Sequence, residues 1–146
     1  MNLDQVAEPS KNINEVANLI KNDSTLKDMY VKGGKPILKL SKNYNRIDKF
    51  GAVSSDVEFL KVNHVEFYIK AFESYYKLYQ TIGHELTHTI QITSNRYNQY
   101  YQKYGLANAK DYMEYEAWSW NYSMNNTDSY YLRFAKHFKN QFDFYK

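Results

Sequence analysis

The order of hydrophobic periods along this chain predicts an α+β fold: one N-terminal helix, a short twisted and mostly antiparallel sheet, then three helices. Three observations carry that reading. Apolar residues recur every three or four positions near the N-terminus, alternate in the middle, and return to the helical spacing from Tyr75 onward. Gly33, Gly34 and Pro36 punctuate the first switch of period. No repeat, linker or change of composition divides the 146 residues, so a single domain spanning 1–146 is expected, large enough to bury a core without its absent cysteines.

Ile13, Val16, Ala17, Leu19, Ile20 and Leu26 give the first helix, over 13–29. The glycines and Pro36 end it and introduce a short extended segment, 37–40. The pattern over 44–53 fits neither period. Mixed alternation over 57–62 and clean alternation over 65–70, with Val65, Phe67 and Ile69 opposite Glu66, Tyr68 and Lys70, predict two strands paired antiparallel across Asn63-His64. Tyr75, Leu78, Tyr79, Ile82, Leu86 and Ile90 then mark a helix with one buried face. A tyrosine-rich connection follows, holding Tyr97, Tyr100, Tyr101 and Tyr104, which offer either core volume or a binding surface. The stripe Met113, Ala117, Trp120 and Met124 gives a helix over 110–125, with Asn108 and Asp111 resembling a capping box at its start. A last amphipathic helix covers 130–142.

Within the first long helix of the C-terminal half, His84, Glu85, Leu86, Thr87 and His88 spell H-E-x-x-H. Helical residues four apart share a face about 6 Å apart along the axis, so two imidazoles at this spacing can share one metal ion. Glu85 is offset toward the side where a metal-bound water would sit, in position to take its proton. From Thr81 to Thr93 no other charged residue occurs, which marks a buried polar site rather than a solvated helix face. The motif therefore points to metal-assisted hydrolysis, with Glu85 as general base and a peptide bond as the target. Zinc suits neutral imidazole ligands and keeps a coordination position open in catalytic sites.

A third protein ligand is needed. His64, in an alternating segment, and His137, in an aromatic helix, read as structural or surface histidines. Glu114 and Glu116, in Glu114-Tyr115-Glu116-Ala117, flank the apolar stripe of the following helix on either side, and the helical wheel alone does not choose between them.

With these two motifs the segment 75–124 resembles the gluzincin branch of zinc metallopeptidases, and in particular compact members such as the ImmA/IrrE-like peptidases and the minigluzincins. The metzincin pattern is absent, since Gln91 and Ser94 stand where it has Gly and His. The resemblance implies a small zincin-like domain with an active-site helix and a glutamate helix, Zn2+ as cofactor, and Glu114 as third ligand beside His84 and His88. It also implies an Asp or Asn four residues after that glutamate, orienting a zinc-bound histidine. Trp118 occupies that position, so Glu116, followed three residues on by Ser119, stays an alternative ligand. The expected activity is that of a zinc metalloendopeptidase of the HExxH type acting on a peptide or protein substrate laid along an exposed strand edge. Its alternative is a catalytically inactive zincin-like module with a binding or structural role, for example phage-associated or regulatory. Tyr122 is one candidate among sixteen tyrosines for the donor that stabilises the oxyanion.

A net charge of +3, from 19 Lys and Arg against 16 Asp and Glu, is too small to argue for a nucleic-acid partner. The polar start and the lack of any run of eighteen apolar residues give no signal peptide and no membrane span, which favours a cytoplasmic or phage-associated protein over Sec export. Nothing in the sequence specifies an oligomeric state.

Overall fold

A computed structural model of the chain describes residues 8–56 and 61–146. Helix α1, Ile13–Asn22, starts where the Asn12 side chain accepts the Asn14 N–H at 2.9 Å, and it buries Val16, Leu19 and Ile20. The single helix expected over 13–29 divides at Asp23, which is extended and opens α2, Ser24–Lys32. The Asp23 carboxylate accepts the Leu26 N–H at 2.9 Å and the Tyr79 hydroxyl at 3.1 Å. Asn22, Asp23 and Ser24 all have short polar side chains that compete for backbone groups, so a cap forms where the apolar period alone runs on.

The sheet holds β1 (Ile37–Leu40), β2 (Gly51–Ser55) and β3 (Val62–Phe67) in the order β1-β3-β2. It is mixed rather than mostly antiparallel: β2 pairs antiparallel with β3, while β1 runs parallel to it. The long excursion between Leu40 and Val62 gives the chain room to return in the parallel sense. The turn expected at Asn63-His64 does not form. Both residues lie inside β3, where His64 sits opposite Ser54 on one side and Ile37 on the other. Between β2 and β3 the Asp56 N–H donates to the Lys61 carbonyl at 3.1 Å. The strand expected over 57–62 falls mostly on 57–60, outside the described residues. Strand β2 itself, built from Gly51, Ala52, Val53, Ser54 and Ser55, has side chains too short and too polar to alternate visibly in the sequence. After Phe67 the chain leaves the sheet for a 3-10 turn, Ile69–Glu73, which buries Ala71 and Phe72, so the alternation over 65–70 overshoots the strand.

Helix α3, Tyr75–Thr93, is capped by the Ser74 hydroxyl, which accepts the Lys77 N–H at 3.0 Å. Its Leu78, Ile82 and Leu86 are fully buried against Val65, Phe67, Ala71 and Phe72, side chains of a kind that contribute about 1.5–3 kcal/mol each when buried. The tyrosine-rich connection is a helix, α4 (Arg96–Tyr104), entered through Asn95 at φ 65 and left through Gly105 at φ 84. Tyr97 is buried and Tyr100 stacks on Tyr112 with ring centroids 4.4 Å apart, so this cluster packs rather than forming a free surface. Helix α5, Leu106–Met124, starts four residues before the expected bound. Asn108 is therefore inside it rather than at its cap, and its side chain donates to the carbonyls of Tyr104 and Tyr145. Helix α6, Ser129–Tyr145, is capped by Asp128 and packs along α5. Gly83 brings α3 and α5 together, since a Cβ there would run into the Trp120 ring. Among the described residues no helix is long and apolar enough to cross a membrane.

Replacing Asp23 by Ala removes a helix cap and a bond to α3 together. A loss of about 1–2 kcal/mol is expected in urea unfolding, with Asp23→Asn retaining most of the stability; an unchanged midpoint in Asp23→Ala would contradict the capping role.

Candidate metal centre

Helical spacing sets His84 and His88 on one face of α3, with ring centroids 4.9 Å apart, and α5 brings Glu114 across to meet them. The His88 Nε2 lies 2.7 Å from Glu114 Oε1, and the His84 Nε2 lies 3.5 Å from Glu114 Oε2. One ligand atom from each of the three residues lies within 4.8 Å of the other two. Ligands held 2.0–2.1 Å from one tetrahedral ion are about 3.3 Å apart, so small side-chain movements convert this arrangement into a coordination sphere.

The tautomers follow from the surrounding amides. Asn121 donates through Nδ2 to the backbone carbonyl of Gln80 at 2.9 Å and to its side-chain oxygen at 2.7 Å. Its Oδ1 is thereby turned to His84 Nδ1, 2.7 Å away, and accepts that N–H. Gln91 donates through Nε2 to the Met113 carbonyl at 3.0 Å and to Glu116 at 3.2 Å, which turns its Oε1 toward the His88 Nδ1–H at 2.8 Å. Each Nδ1 therefore carries a proton, and both Nε2 atoms face Glu114. Amides behind metal-binding histidines act in this way, fixing ring orientation as well as tautomer.

The two glutamates of α5 are separated in role. Glu116 is gripped by Arg96, with Nε to its two oxygens at 2.8 and 2.9 Å and a terminal nitrogen at 2.6 Å, and it also receives Gln91. It supports the centre from behind, while Glu114 faces the histidines. Trp118, where the resemblance implies an acceptor, packs its ring edgewise on His84 with centroids 4.6 Å apart. The acceptor comes instead from Asn121, seven residues after Glu114 and therefore two turns along the same face. Helical spacing makes Asn121, and Gln91 three residues after His88, visible in the sequence once His84 and His88 are taken as a pair.

Glu85 is only 6% exposed and lines the same cleft. Its Cγ lies 2.9 Å from where a Cβ of Gly51 would be, so the absence of a side chain in β2 makes room for it. Burial raises the Glu85 pKa, against the opposing pull of His84 and His88. Burial also pushes His88 down, but the charge and hydrogen bond of Glu114 outweigh it and leave the imidazole at about 9. The Glu114 carboxyl, raised by burial, is held well below the usual carboxylate range by His88 and His84. Without a metal, the proton between this pair therefore sits on His88.

The cleft holds about 830 Å³ and runs between β2 and the helices. All five residues of β2 line it on one side; Trp118, Tyr130, Tyr131 and Phe134 form an aromatic wall, and Tyr97 is nearby in the lining. Tyr122 does not line it, so the tyrosines placed to reach a bound molecule are Tyr97, Tyr130 and Tyr131. His64 is bonded to Glu66 in β3 and His137 is exposed beside Phe138; neither joins the centre. Compared with protein-family models, curated proteins and solved structures, the chain finds no significant match.

Two measurements follow from this geometry. Glu114→Ala is expected to weaken binding of a divalent transition metal by more than about a hundredfold, and Glu116→Ala by about ten- to a hundredfold through Gln91; the reverse order would move the ligand to Glu116. Because His88 carries a proton below its raised pKa, calorimetry at pH 7.5 in buffers of different ionisation heat is expected to show about one proton released per metal bound. Release of none would contradict the His88–Glu114 pairing.

Proposed function

We propose that this chain is a zinc metalloendopeptidase of the HExxH type, in which His84, His88 and Glu114 hold Zn2+ and Glu85 is the general base. The observation that carries the reading is the convergence of two Nε2 atoms and one carboxylate beside a second, buried carboxylate in an open cleft. Two nitrogens and one oxygen suit zinc better than magnesium or calcium. Bound zinc supplies a Lewis acid that lowers the pKa of a coordinated water toward about 7 and polarises a carbonyl.

The chain's own residues supply the rest. Glu85, its proton affinity raised by burial, takes the proton of the attacking water and returns it to the leaving amine. Asn121 and Gln91 keep both imidazoles in the ligating tautomer. Strand β2 is an edge of the sheet and lies along the cleft, so an extended peptide is placed there as a fourth strand by main-chain hydrogen bonds. The aromatic wall opposite excludes water from the peptide and receives its apolar side chains. An acceptor missing at Trp118 does not favour the alternative, a zincin-like module that keeps the metal without cleaving, because Asn121 provides that acceptor.

Glu85→Gln preserves shape and removes the base. The variant is expected to retain zinc while hydrolysis of any peptide substrate falls by two or more orders of magnitude; undiminished cleavage would place the base elsewhere.

A further inference from the structure

Three cations converge on one end of the cleft from three separate elements. Lys49 precedes β2, Lys70 lies in the 3-10 turn, and Lys77 lies in the first turn of α3; all three line the cleft. The Lys70 and Lys77 ammonium groups stand 4.7 and 5.2 Å from the centre of the Phe50 ring, which places them at most about 10 Å from each other. Nearby acids do little to offset them. Asp48 is committed to Arg46 through paired hydrogen bonds, and Glu73 reaches Lys77 only at 3.9 Å, both side chains being well exposed to solvent. Among the described residues the lining holds one further cation, Lys110, one turn before Glu114 on α5.

Such a cluster has a chemical consequence. An ammonium has three N–H donors, more than one ring face can occupy, and charges of one sign along a low-dielectric cleft concentrate a field that attracts the opposite sign. The end of the cleft that opens at Phe50 is also where β2 begins, so a peptide along β2 must pass these lysines.

We infer that Lys49, Lys70 and Lys77 form a specificity subsite for a substrate carboxylate, making the preferred substrates acidic peptides with a negative group a few residues to one side of the cleaved bond. The inference rests on the peptidase reading for its chemistry but on the lysines for its selectivity. The carboxylate has two sources, an Asp or Glu side chain or the free C-terminus of a short peptide.

The test uses the zinc-loaded full chain and a set of decapeptides identical except for Glu, Gln or Lys placed at one position at a time, each with a free and an amidated C-terminus. Expected is a preference in kcat/KM for Glu over Gln of about tenfold on one side of the bond, reversed for Lys and reduced at about 0.5 M salt. The preference is expected to collapse toward one in a Lys70→Gln, Lys77→Gln double variant, which keeps much of both side-chain stems over Phe50, and in Lys49→Ala. A Glu-over-Gln preference that survives amidation assigns the side chain, whereas equal rates for Glu and Gln with a lysine-dependent fall in kcat/KM on amidation assign the terminal carboxylate. Equal rates for Glu, Gln and Lys peptides that amidation also leaves unchanged, or a preference unmoved by the lysine substitutions, would overturn the subsite. If no peptide is cleaved, the peptidase reading fails by itself, and fluorescence anisotropy of the same peptides on Glu85→Gln decides the subsite: lysine-dependent tighter binding of the Glu peptides supports it, and equal binding overturns it.

Discussion

Two imidazoles on adjacent turns of a helix share a metal only when each turns a ring nitrogen free to ligate toward one point, and in this molecule two side-chain amides hold both rings with Nε2 turned that way. Asn121 fixes His84 and Gln91 fixes His88, and each amide is itself oriented by acceptors for its two N–H groups. An amide with both donors committed cannot turn over without leaving a buried polar atom unpaired, at a cost of about 1–3 kcal/mol. The chain of constraint reaches the protein surface through Glu116 and Arg96, so a glutamate turned away from both imidazoles still bears on how His88 points.

Those hydrogen bonds require α3 and α5 to lie close together along their polar faces. Gly83 lets the Trp120 ring lie against α3 one residue before the first histidine, and Ala117, fully buried, keeps the facing side of α5 thin. The same helix buries Gln80, Thr81, His84, Glu85, Thr89 and Gln91, a polar interior that is tolerable because its groups find partners or line the cleft. On the other side Leu78, Ile82 and Leu86 anchor the helix to the sheet, which fixes the distance between Glu85 and β2. The apolar stripe therefore sets the position of the chemistry without taking part in it.

Much of this was legible in the residues. The histidine pair and its glutamate stood on a clear helical period, and the uncharged run around them announced burial. Glu114 and Glu116 were not separable by spacing, because the choice is made by Arg96, a residue on another helix. The acceptor for His84 is Asn121, one turn beyond position 118 on the same face, a place that the two-motif spacing does not mark. The first helix ran too long because its apolar period continues through Asp23, where capping chemistry prevails over periodicity. Strand β2 left little trace, since its small side chains form a cleft wall instead of a core face, and the parallel pairing of β1 depends on a return path that no local pattern encodes.

The central claim is that the amide-oriented Nε2 atoms of His84 and His88 converge with Glu114 on one ion. A crystal of the zinc-soaked protein, with anomalous diffraction recorded on either side of the zinc absorption edge, tests it directly. The expected result is one strong peak about 2.0–2.2 Å from His84 Nε2, His88 Nε2 and a Glu114 oxygen, with Asn121 and Gln91 still bound to the Nδ1 atoms. A peak bonded to Glu116 or to an Nδ1 atom, or no zinc in the cleft, would contradict it.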